Sequence, residues 1–240
     1  MKPVLLLQHF MDDGPAYLGR WLSSAGAATD LRCSEAGEPF PHDMAEHGAL
    51  AVLGGAMSAN DNLPALRQAE RLIRDAMAQG KPVIGHCLGG QLMARALGAA
   101  IGPSARPEVG WHALEWSVEA SRWFGPRVVA GAPPPQVFQW HFEAFSLPAG
   151  AQWLAGSAAC PNQAFSIGPH LAFQFHLELD AVKLAQWTEA PDDDYRRALA
   201  DFPAMVQSPT VMRHHATELL AAQQTLAASA YRHWLDSAAD

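Results

Sequence analysis

Residues 81–98 read KPVIGHCLGGQLMARALG. Val83 and Ile84 form a short apolar run, as in a buried strand, and apolar residues recur at helical spacing over 92–97. Between these segments lies Cys87, with a glycine two residues before it and another two residues after it. Glycines tolerate the strained dihedral angles and the close approach of a sharp turn. The stretch therefore predicts a strand, a sharp turn and a helix, with Cys87 at the tip of the turn.

Cys87 has two interpretations at this position. Backbone N–H groups at the start of the following helix and the positive end of the helix dipole favour a thiolate, the nucleophilic form of cysteine. A free cysteine is also often a small hydrophobic residue of the core. Because the turn motif is short, it does not distinguish between these two roles of Cys87, a nucleophile and a core residue, and we give them equal weight. We expect the adjacent His86 to point in a different direction.

The composition limits the class of protein. A chain of 240 residues, 49% of them hydrophobic, can form one large domain with or without an extension. Its 16 basic and 24 acidic residues give a net charge of −8 and no basic run, which argues against nucleic acid and anionic lipid as partners. No apolar run approaches the ~18 residues of a membrane span, and the N-terminal one is too short for a signal. We expect a cytoplasmic protein without a membrane segment.

The three cysteines, Cys33, Cys87 and Cys160, are widely spaced and odd in number. This pattern fits neither a disulfide framework nor a zinc site with paired ligands. The histidines likewise show no metal-ligand spacing, so the sequence predicts no metal. We expect a reducing compartment, one functional thiol and a structural role for Cys160.

Strands and helices are predicted to alternate in the first half of the chain. Apolar strands are indicated at residues 4–7, 49–53 and 83–84, and helices at 14–26 and 66–77. This alternation predicts an α/β fold with a mostly parallel sheet and helices on both faces. Ligands of such folds bind outside the carboxyl ends of the strands, which is where the predicted turn and the loop after residue 53 both lie.

The loop after residue 53 begins with Gly54 and Gly55. One interpretation is a bare turn. The other is an oxyanion site, in which a backbone N–H of this loop and the N–H of Leu88 bind a developing negative charge. The loop lacks the Gly-Lys-Ser/Thr of a phosphate loop and any dinucleotide fingerprint, so we expect no cofactor.

The pattern changes from about residue 101. Turns rich in proline and glycine predict short strands and hairpins, without a linker. Beyond them, an apolar stripe between Leu219 and Leu235 predicts a final helix of about 20 residues. We expect residues 1–185 to form one domain and 186–240 a helical extension packed on it, with a surface for a partner or a second copy as the alternative for the final helix.

The second informative stretch is HLAFQFHLELD, residues 170–180. Apolar residues alternate with small or polar ones up to Phe175, as in a half-buried strand, and His176 and Glu178 follow. Side chains two apart on a strand share a face, about 6.5 Å apart at the backbone. Glu178 would then fix the tautomer of His176 and leave its other nitrogen free to move protons. An ordinary surface pair of histidine and glutamate is the alternative.

These features together form a complete set for acyl transfer. Cys87 supplies a nucleophile, His176 a base, Glu178 an orienting carboxylate and the glycine pair an oxyanion-binding loop. Each feature alone is weak. Their occurrence in one chain favours a cysteine-dependent amide hydrolase.

In these segments the chain resembles the class I, or triad, glutamine amidotransferases, most closely the stand-alone proteins similar to the amidotransferase domain of GMP synthase. The resemblance covers roughly residues 1–185 and implies a flavodoxin-like fold. The segments that carry it are GG at 54–55, GHCLGGQ at 85–91, QWHFE at 139–143, LP at 147–148, ACPNQAF at 159–165 and FHLE at 175–178.

The resemblance implies a role for each catalytic residue. Cys87 attacks the side-chain amide carbon of glutamine, His176 protonates the departing ammonia and Glu178 holds His176. The N–H groups of Gly55 and Leu88 form the oxyanion hole. Water then hydrolyses the thioester to glutamate.

The resemblance also implies a substrate-binding side. Gln91 helps to hold glutamine, and the backbone around His141 and Phe142 lies near its α-carboxylate. Glu143 is the implied partner of the amino group. The released ammonia then passes to a separate synthetase subunit, or the protein works as a free-standing hydrolase.

Three positions depart from the family pattern. Ala56 replaces a proline after the glycine pair, Gly90 replaces the histidine of Gly-His-Gln, and Leu177 replaces a proline between the triad residues. None of them removes a group from the triad. They leave the acyl donor open between glutamine and another γ-glutamyl compound, so a γ-glutamyl peptidase is a second hypothesis. A catalytically silent glutamine-binding subunit is a third.

Overall fold

The computed structural model of the protein describes residues 2–130 and 133–238. Its strands are, in chain order, β1 (Val4–Gln8), β2 (Thr29–Cys33), β3 (Ala49–Val52), β4 (Val83–His86), β5 (Ile101–Ala113), β6 (Glu115–Trp116), β7 (Gln136–Phe145), β8 (Gln152–Gly156), β9 (Ala164–Ile167) and β10 (His170–Phe173). Its helices are α1 (Ala16–Ser24), α2 (Pro64–Ala78), α3 (Leu88–Ala96), α4 (Ala120–Phe124), α5 (Arg127–Ala130), α6 (Ala181–Glu189), α7 (Asp193–Asp201) and α8 (Pro209–Asp236).

The strands form the predicted, mostly parallel sheet. An eight-stranded sheet has the order β2-β1-β3-β4-β10-β9-β8-β6. Neighbouring strands from β2 to β10 run parallel, and those from β10 to β6 run antiparallel. The carboxyl ends of β3, β4 and β10 therefore lie side by side in the middle of the sheet. In an open α/β sheet this edge is where ligands bind.

Helices cover both faces of the sheet. The side chains of each buried strand therefore alternate between two hydrophobic cores, one on each face. On β1, Val4 and Leu6 belong to a core shared with α1, α4 and α8. Leu5 and Leu7 belong to a second core shared with α2 and α3. Strands buried on both faces in this way read as continuous apolar runs, which is why β1, β3 and β4 are visible in the sequence.

The final helix, α8, has 28 residues and is longer than the sequence predicts. It begins where the Ser208 hydroxyl accepts a hydrogen bond from the N–H of Val211. Its apolar stripe, which includes the buried Tyr231 and Trp234, completes the core on one face of the sheet. Neither α8 nor any other helix of the described residues combines the length and apolar character of a membrane span. The division of the chain near residue 185 stays a prediction.

Two parts of the β structure differ from the sequence predictions. The prediction of short strands and hairpins after residue 101 fits β8, β9 and β10, which have five, four and four residues and pair antiparallel. It is wrong for β5 and β7, which have 13 and 10 residues and form a separate antiparallel pair. The pairing of β5 with β7 shifts register between Pro103 and Glu108, so that β5 continues past both of its prolines, Pro103 and Pro107. The edge strand β2 has no counterpart in the predictions, because its sequence TDLRC is polar and partly exposed.

Helix α3 packs so closely on the sheet that two positions of its first turn, Gly89 and Gly90, have room only for glycine. A Cβ atom on Gly89 would overlap the carbonyl oxygen of Val52 in β3. One on Gly90 would overlap the carbonyl oxygen of Phe173 in β10. These glycines therefore allow two backbones to approach each other, and that approach sets the start of α3 at the ends of the strands.

Gly89→Ala is expected to lower the free energy of unfolding by about 3 kcal/mol, because the added methyl group must displace the backbone of β3. Gly102→Ala is the control, since nothing lies within 4 Å of a Cβ built there. Its expected effect is below ~0.5 kcal/mol. Urea unfolding of both variants gives the difference. Equal stabilities would contradict the close packing of α3 on β3.

Candidate active site

Cys87 occupies the sharp turn between β4 and α3. Its backbone angles, φ 48° and ψ −109°, are strained for a residue with a side chain. Its N–H donates to the carbonyl of Phe173 (2.9 Å), and its carbonyl accepts from the N–H of Gln91 (2.9 Å). The Sγ atom is nearly buried and lies 3.7 Å from the carbonyl oxygen of Trp140. The sheet and the helix thus hold the turn from both sides.

His176 and Glu178 lie after β10 and not on it. The prediction that the strand continues to Phe175 is wrong, because β10 ends at Phe173 and the chain then turns. The neighbouring strand β4 bends into the turn at this level and offers no further partner. The two side chains nevertheless meet, with Nδ1 of His176 2.7 Å from Oε1 of Glu178, and both are buried.

The electrostatics of this pair favour a protonated imidazole. Burial alone would lower the pKa of His176, but Glu178, through its charge and its hydrogen bond to Nδ1, and the neighbouring Cys87 raise it to about 10. Burial would raise the pKa of Glu178, but Lys183 and His176 hold it well below its usual range. The imidazole of His176 is therefore protonated near pH 7, with the carboxylate of Glu178 at its Nδ1.

The glycine loop after β3 borders this group. A Cβ atom on Gly54 would lie 3.2 Å from Cε1 of His176, and one on Gly55 would lie 2.8 Å from the side chain of Leu88. Larger residues would therefore collide with the site. Within residues 2–130 and 133–238, neither the N–H of Gly55 nor that of Leu88 donates a backbone–backbone hydrogen bond. Both are available to an oxyanion.

Gln91 and Glu143 are brought together one helical turn after Cys87. Nε2 of Gln91 donates to the backbone carbonyl of Glu143 (3.0 Å), and the carboxylate of Glu143 accepts from Oγ of Ser58 (2.7 Å). The neighbouring Phe142 is partly exposed. These contacts connect α3, β7 and the glycine loop.

The side chain of His141 is held in a buried polar cluster. Its Nε2 lies 3.4 Å from Oε2 of Glu108, and Glu108 also accepts from Oγ of Ser157 (2.8 Å) and Nε2 of Gln163 (2.6 Å). The possible metal-ligand atoms of Glu108, His141 and Cys160 lie within 4.8 Å of one another. Protein donors already occupy both oxygens of Glu108, and burial beside that carboxylate raises the pKa of Cys160 to about 12. We interpret the cluster as a hydrogen-bond network that fixes β7.

A comparison with protein families decides the family of the chain. Residues 29–184, more than half of the chain, match the family model described as glutamine amidotransferase class-I. The chain belongs to this family. The matched region contains Cys87, His176 and both glycines of the loop.

The chain is also similar to individual members of this family. It is 30% identical over 184 residues to the glutamine amidotransferase-like protein YfeJ of Salmonella typhimurium, covering 74% of this chain and 76% of YfeJ. The crystal structure of a glutamine amido transferase from Methylobacillus flagellatus is 33% identical, with a TM-score of 0.90 over 99% of this chain and 95% of that one. A glutamine amidotransferase structure from Thermotoga maritima is 25% identical, with a TM-score of 0.83 over 98% of both chains. The predicted family resemblance and α/β fold are confirmed.

Three residues close to the candidate site have no part in the sequence predictions. Nε2 of Gln174 lies 3.7 Å from Sγ of Cys87. The ring of Trp187 stands edge-on to that of His176, with centroids 4.8 Å apart, and Nζ of Lys183 lies 3.3 Å from Oε1 of Glu178. Gln174 and Lys183 could have been selected from the sequence, because each is a polar residue within a few positions of the His-x-Glu motif in a largely apolar stretch.

The side chain of His86 faces α8. Its Nε2 lies 3.1 Å from the hydroxyl of Tyr231, and its ring packs edge-on against Phe173. Burial lowers the pKa of His86 to about 4, so the ring is neutral near pH 7. His86 therefore packs in the core between the sheet and α8 and points away from Cys87, as the sequence predicts.

Proposed function

We propose that this class I glutamine amidotransferase is a glutaminase that hydrolyses the side-chain amide of glutamine through a thioester on Cys87, with His176 and Glu178 completing a triad. The observation that carries the proposal is the buried hydrogen-bonded pair of His176 and Glu178 beside Cys87, which lies at a strained turn. These residues would supply a nucleophile and, beside it, the proton that the leaving group needs.

In the first half of the reaction, the thiolate of Cys87 attacks the amide carbon, a C–S bond forms and the carbonyl oxygen becomes an oxyanion. The N–H groups of Gly55 and Leu88 stabilise that charge. When the tetrahedral intermediate collapses, the C–N bond breaks and His176 gives its proton to the nitrogen. Ammonia leaves and the thioester remains.

In the second half, water attacks the thioester carbonyl while the neutral His176 takes a proton from it. The C–S bond then breaks, glutamate leaves, and the thiolate and imidazolium are restored. Glu178 holds the proton on Nδ1 throughout, so that Nε2 is the nitrogen that exchanges protons.

The glutamine molecule is proposed to lie along β7. The carboxylate of Glu143, fixed by Ser58, would accept the α-amino group, and the backbone at His141 and Phe142 would face the α-carboxylate. Gln91 supports this arrangement because its side chain holds the carbonyl of Glu143.

Incubation of the purified protein with glutamine is expected to release glutamate and ammonia in equal amounts. The measurement is steady-state glutamate release from glutamine, compared with release from γ-glutamyl dipeptides under the same conditions. A higher kcat/KM for the dipeptides would replace the proposal by a γ-glutamyl peptidase with the same triad.

A second measurement separates an enzyme from a silent binding subunit. A glutamine-like electrophile is expected to label Cys87 ahead of Cys33 and Cys160, which mass spectrometry reports for each thiol. Labelling of the other two thiols without Cys87, together with no turnover of either substrate class, would refute an enzymatic function.

A further inference from the structure

A buried lysine lies behind the triad carboxylate. Lys183, in the first turn of α6, is 3% exposed. Its Nζ lies 3.3 Å from Oε1 of Glu178 and 2.5 Å from Oδ1 of Asp13. The ring of Trp187 covers it, with the centroid 4.9 Å from Nζ. Lysine is rarely so buried unless it is paired, and here it is paired twice.

Asp13 connects this lysine to the glycine loop. It lies in the segment between β1 and α1, and its Oδ2 would be 2.6 Å from a Cβ atom on Gly54. Gly54 in turn lies against the ring of His176. The salt bridge between Asp13 and Lys183 therefore joins the segment after β1 to the start of α6, and Gly54 of the loop after β3 lies between Asp13 and His176.

Acidic and basic side chains alternate along this line. Lys183 lies between the carboxylates of Asp13 and Glu178, and Glu178 lies between Lys183 and His176. Each of these buried basic groups thus has at least one carboxylate partner. A buried charge without such a partner is strongly unfavourable, and two buried carboxylates without a cation between them repel until one takes up a proton.

We propose that Lys183 and Asp13 are positioning residues of the active site: Lys183 keeps Glu178 ionised and directed at Nδ1 of His176, and Asp13 holds Lys183 from the opposite side. This inference rests on the proposed function, but it concerns two residues outside the triad. It makes the reactivity of Cys87 depend on a salt bridge that touches neither the sulfur nor the substrate.

The other titratable groups around the salt bridge do not compete with Lys183. Three buried groups face Glu178 or Asp13 and are neutral near pH 7: His86, Tyr231 and His9. Burial lowers the pKa of both histidines to about 4 and raises that of the tyrosine. At the start of α6, Asp180 pairs with Arg20. In the part of the chain that the structure describes, Lys183 is the lysine or arginine that contacts Glu178.

The test is the pH dependence of Cys87 alkylation by iodoacetamide, followed by mass spectrometry, because it needs neither substrate nor turnover. Lys183→Met is expected to move the midpoint for Cys87 upward by about one pH unit or more. An opposite charge at this distance shifts a carboxyl pKa by about 1–3 units, and an uncharged Glu178 no longer stabilises the imidazolium beside the sulfur. Cys33 and Cys160 serve as internal controls.

Two further variants separate charge from packing. Lys183→Arg keeps the charge and is expected to alkylate with a midpoint close to that of the wild type. Asp13→Asn leaves the ammonium of Lys183 beside Glu178. We therefore expect it to shift the pH midpoint of Cys87 alkylation less than Lys183→Met does. In glutamate release, Lys183→Met is expected to lower kcat at least ~10-fold with little change in KM, because the lost interaction does not touch the substrate.

A wild-type midpoint in Lys183→Met would overturn the inference. So would a Lys183→Arg midpoint shifted as far as that of the methionine variant, since packing rather than charge would then be responsible. If circular dichroism shows that Lys183→Met does not fold, the double variant Asp13→Asn/Lys183→Met replaces it, with a smaller upward shift expected. The two proposals can also fail separately. If the alkylation midpoints of the variants shift as expected but the wild-type protein releases no glutamate, the proposed function is refuted and this inference is not.

Discussion

Replacement of Cys87 by alanine is expected to abolish glutamate release from glutamine, with kcat reduced on the order of 10⁶-fold, while the protein stays folded. Without the sulfur no thioester forms, and water alone must attack the amide. The fold is expected to survive because the hydrogen bonds that hold the turn, from the N–H of residue 87 to Phe173 and from Gln91 to its carbonyl, are made by the backbone. Glutamate release and circular dichroism of the variant give the two readouts.

Cys87→Gly is the matched control for the turn. Glycine removes the same sulfur and also relieves the strain of a positive φ, so we expect this variant to be inactive yet more stable than Cys87→Ala by about 1 kcal/mol. Undiminished turnover in either variant would rule out the thioester mechanism. Equal stability of the two would indicate that the strained angle does not persist in solution.

His176→Ala is expected to reduce kcat nearly as far as the loss of Cys87, because the imidazole both pairs with the thiolate and protonates the leaving nitrogen. Glu178→Gln is expected to reduce kcat by a factor roughly 100 times smaller than His176→Ala does. Glu178 orients and stabilises His176 but exchanges no proton with the substrate. KM is expected to change little in both variants. Steady-state glutamate release over a range of glutamine concentrations measures the two effects.

The exposed histidine His42 provides the control for this comparison, since its side chain is 99% exposed. His42→Ala is expected to retain full activity. A Glu178 variant that is as inactive as the His176 variant would show that the carboxylate does more than orient the ring. A His176 variant with normal kcat would place the proton transfer on another group.

The fold depends on three parallel strands ending at the same edge. β3, β4 and β10 deliver the glycine loop, Cys87 and the His-x-Glu turn respectively. Because all three are buried on both faces by the cores of the sheet, their ends cannot move independently. The packing of these strands therefore sets the relative positions of the loop, Cys87 and His176.

The amino-acid sequence by itself determined the local elements. The strand, sharp turn and helix around Cys87, the apolar strands β1 and β3 and the helix α2 follow from signals contained within a few residues each, namely apolar periodicity and glycine spacing. The same local signals nominate Cys87, His176 and Glu178, because an elbow cysteine and a His-x-Glu pair are recognisable side by side in the printed chain. The family resemblance rests on these short segments as well.

Only the tertiary structure determined which of those strands and helices contact each other. In the sheet β10 pairs with β4, and this pairing brings His176 close to a cysteine about 90 residues earlier in the chain. The strand β10 ends at Phe173 because β4 turns into the loop at Cys87. The tertiary structure also placed Asp13 and Lys183 behind Glu178, and Gln174 beside the sulfur. Periodicity reports which face of an element is buried, but not which partner buries it. Contacts between distant residues depend on how whole helices and strands pack, so no local pattern records them.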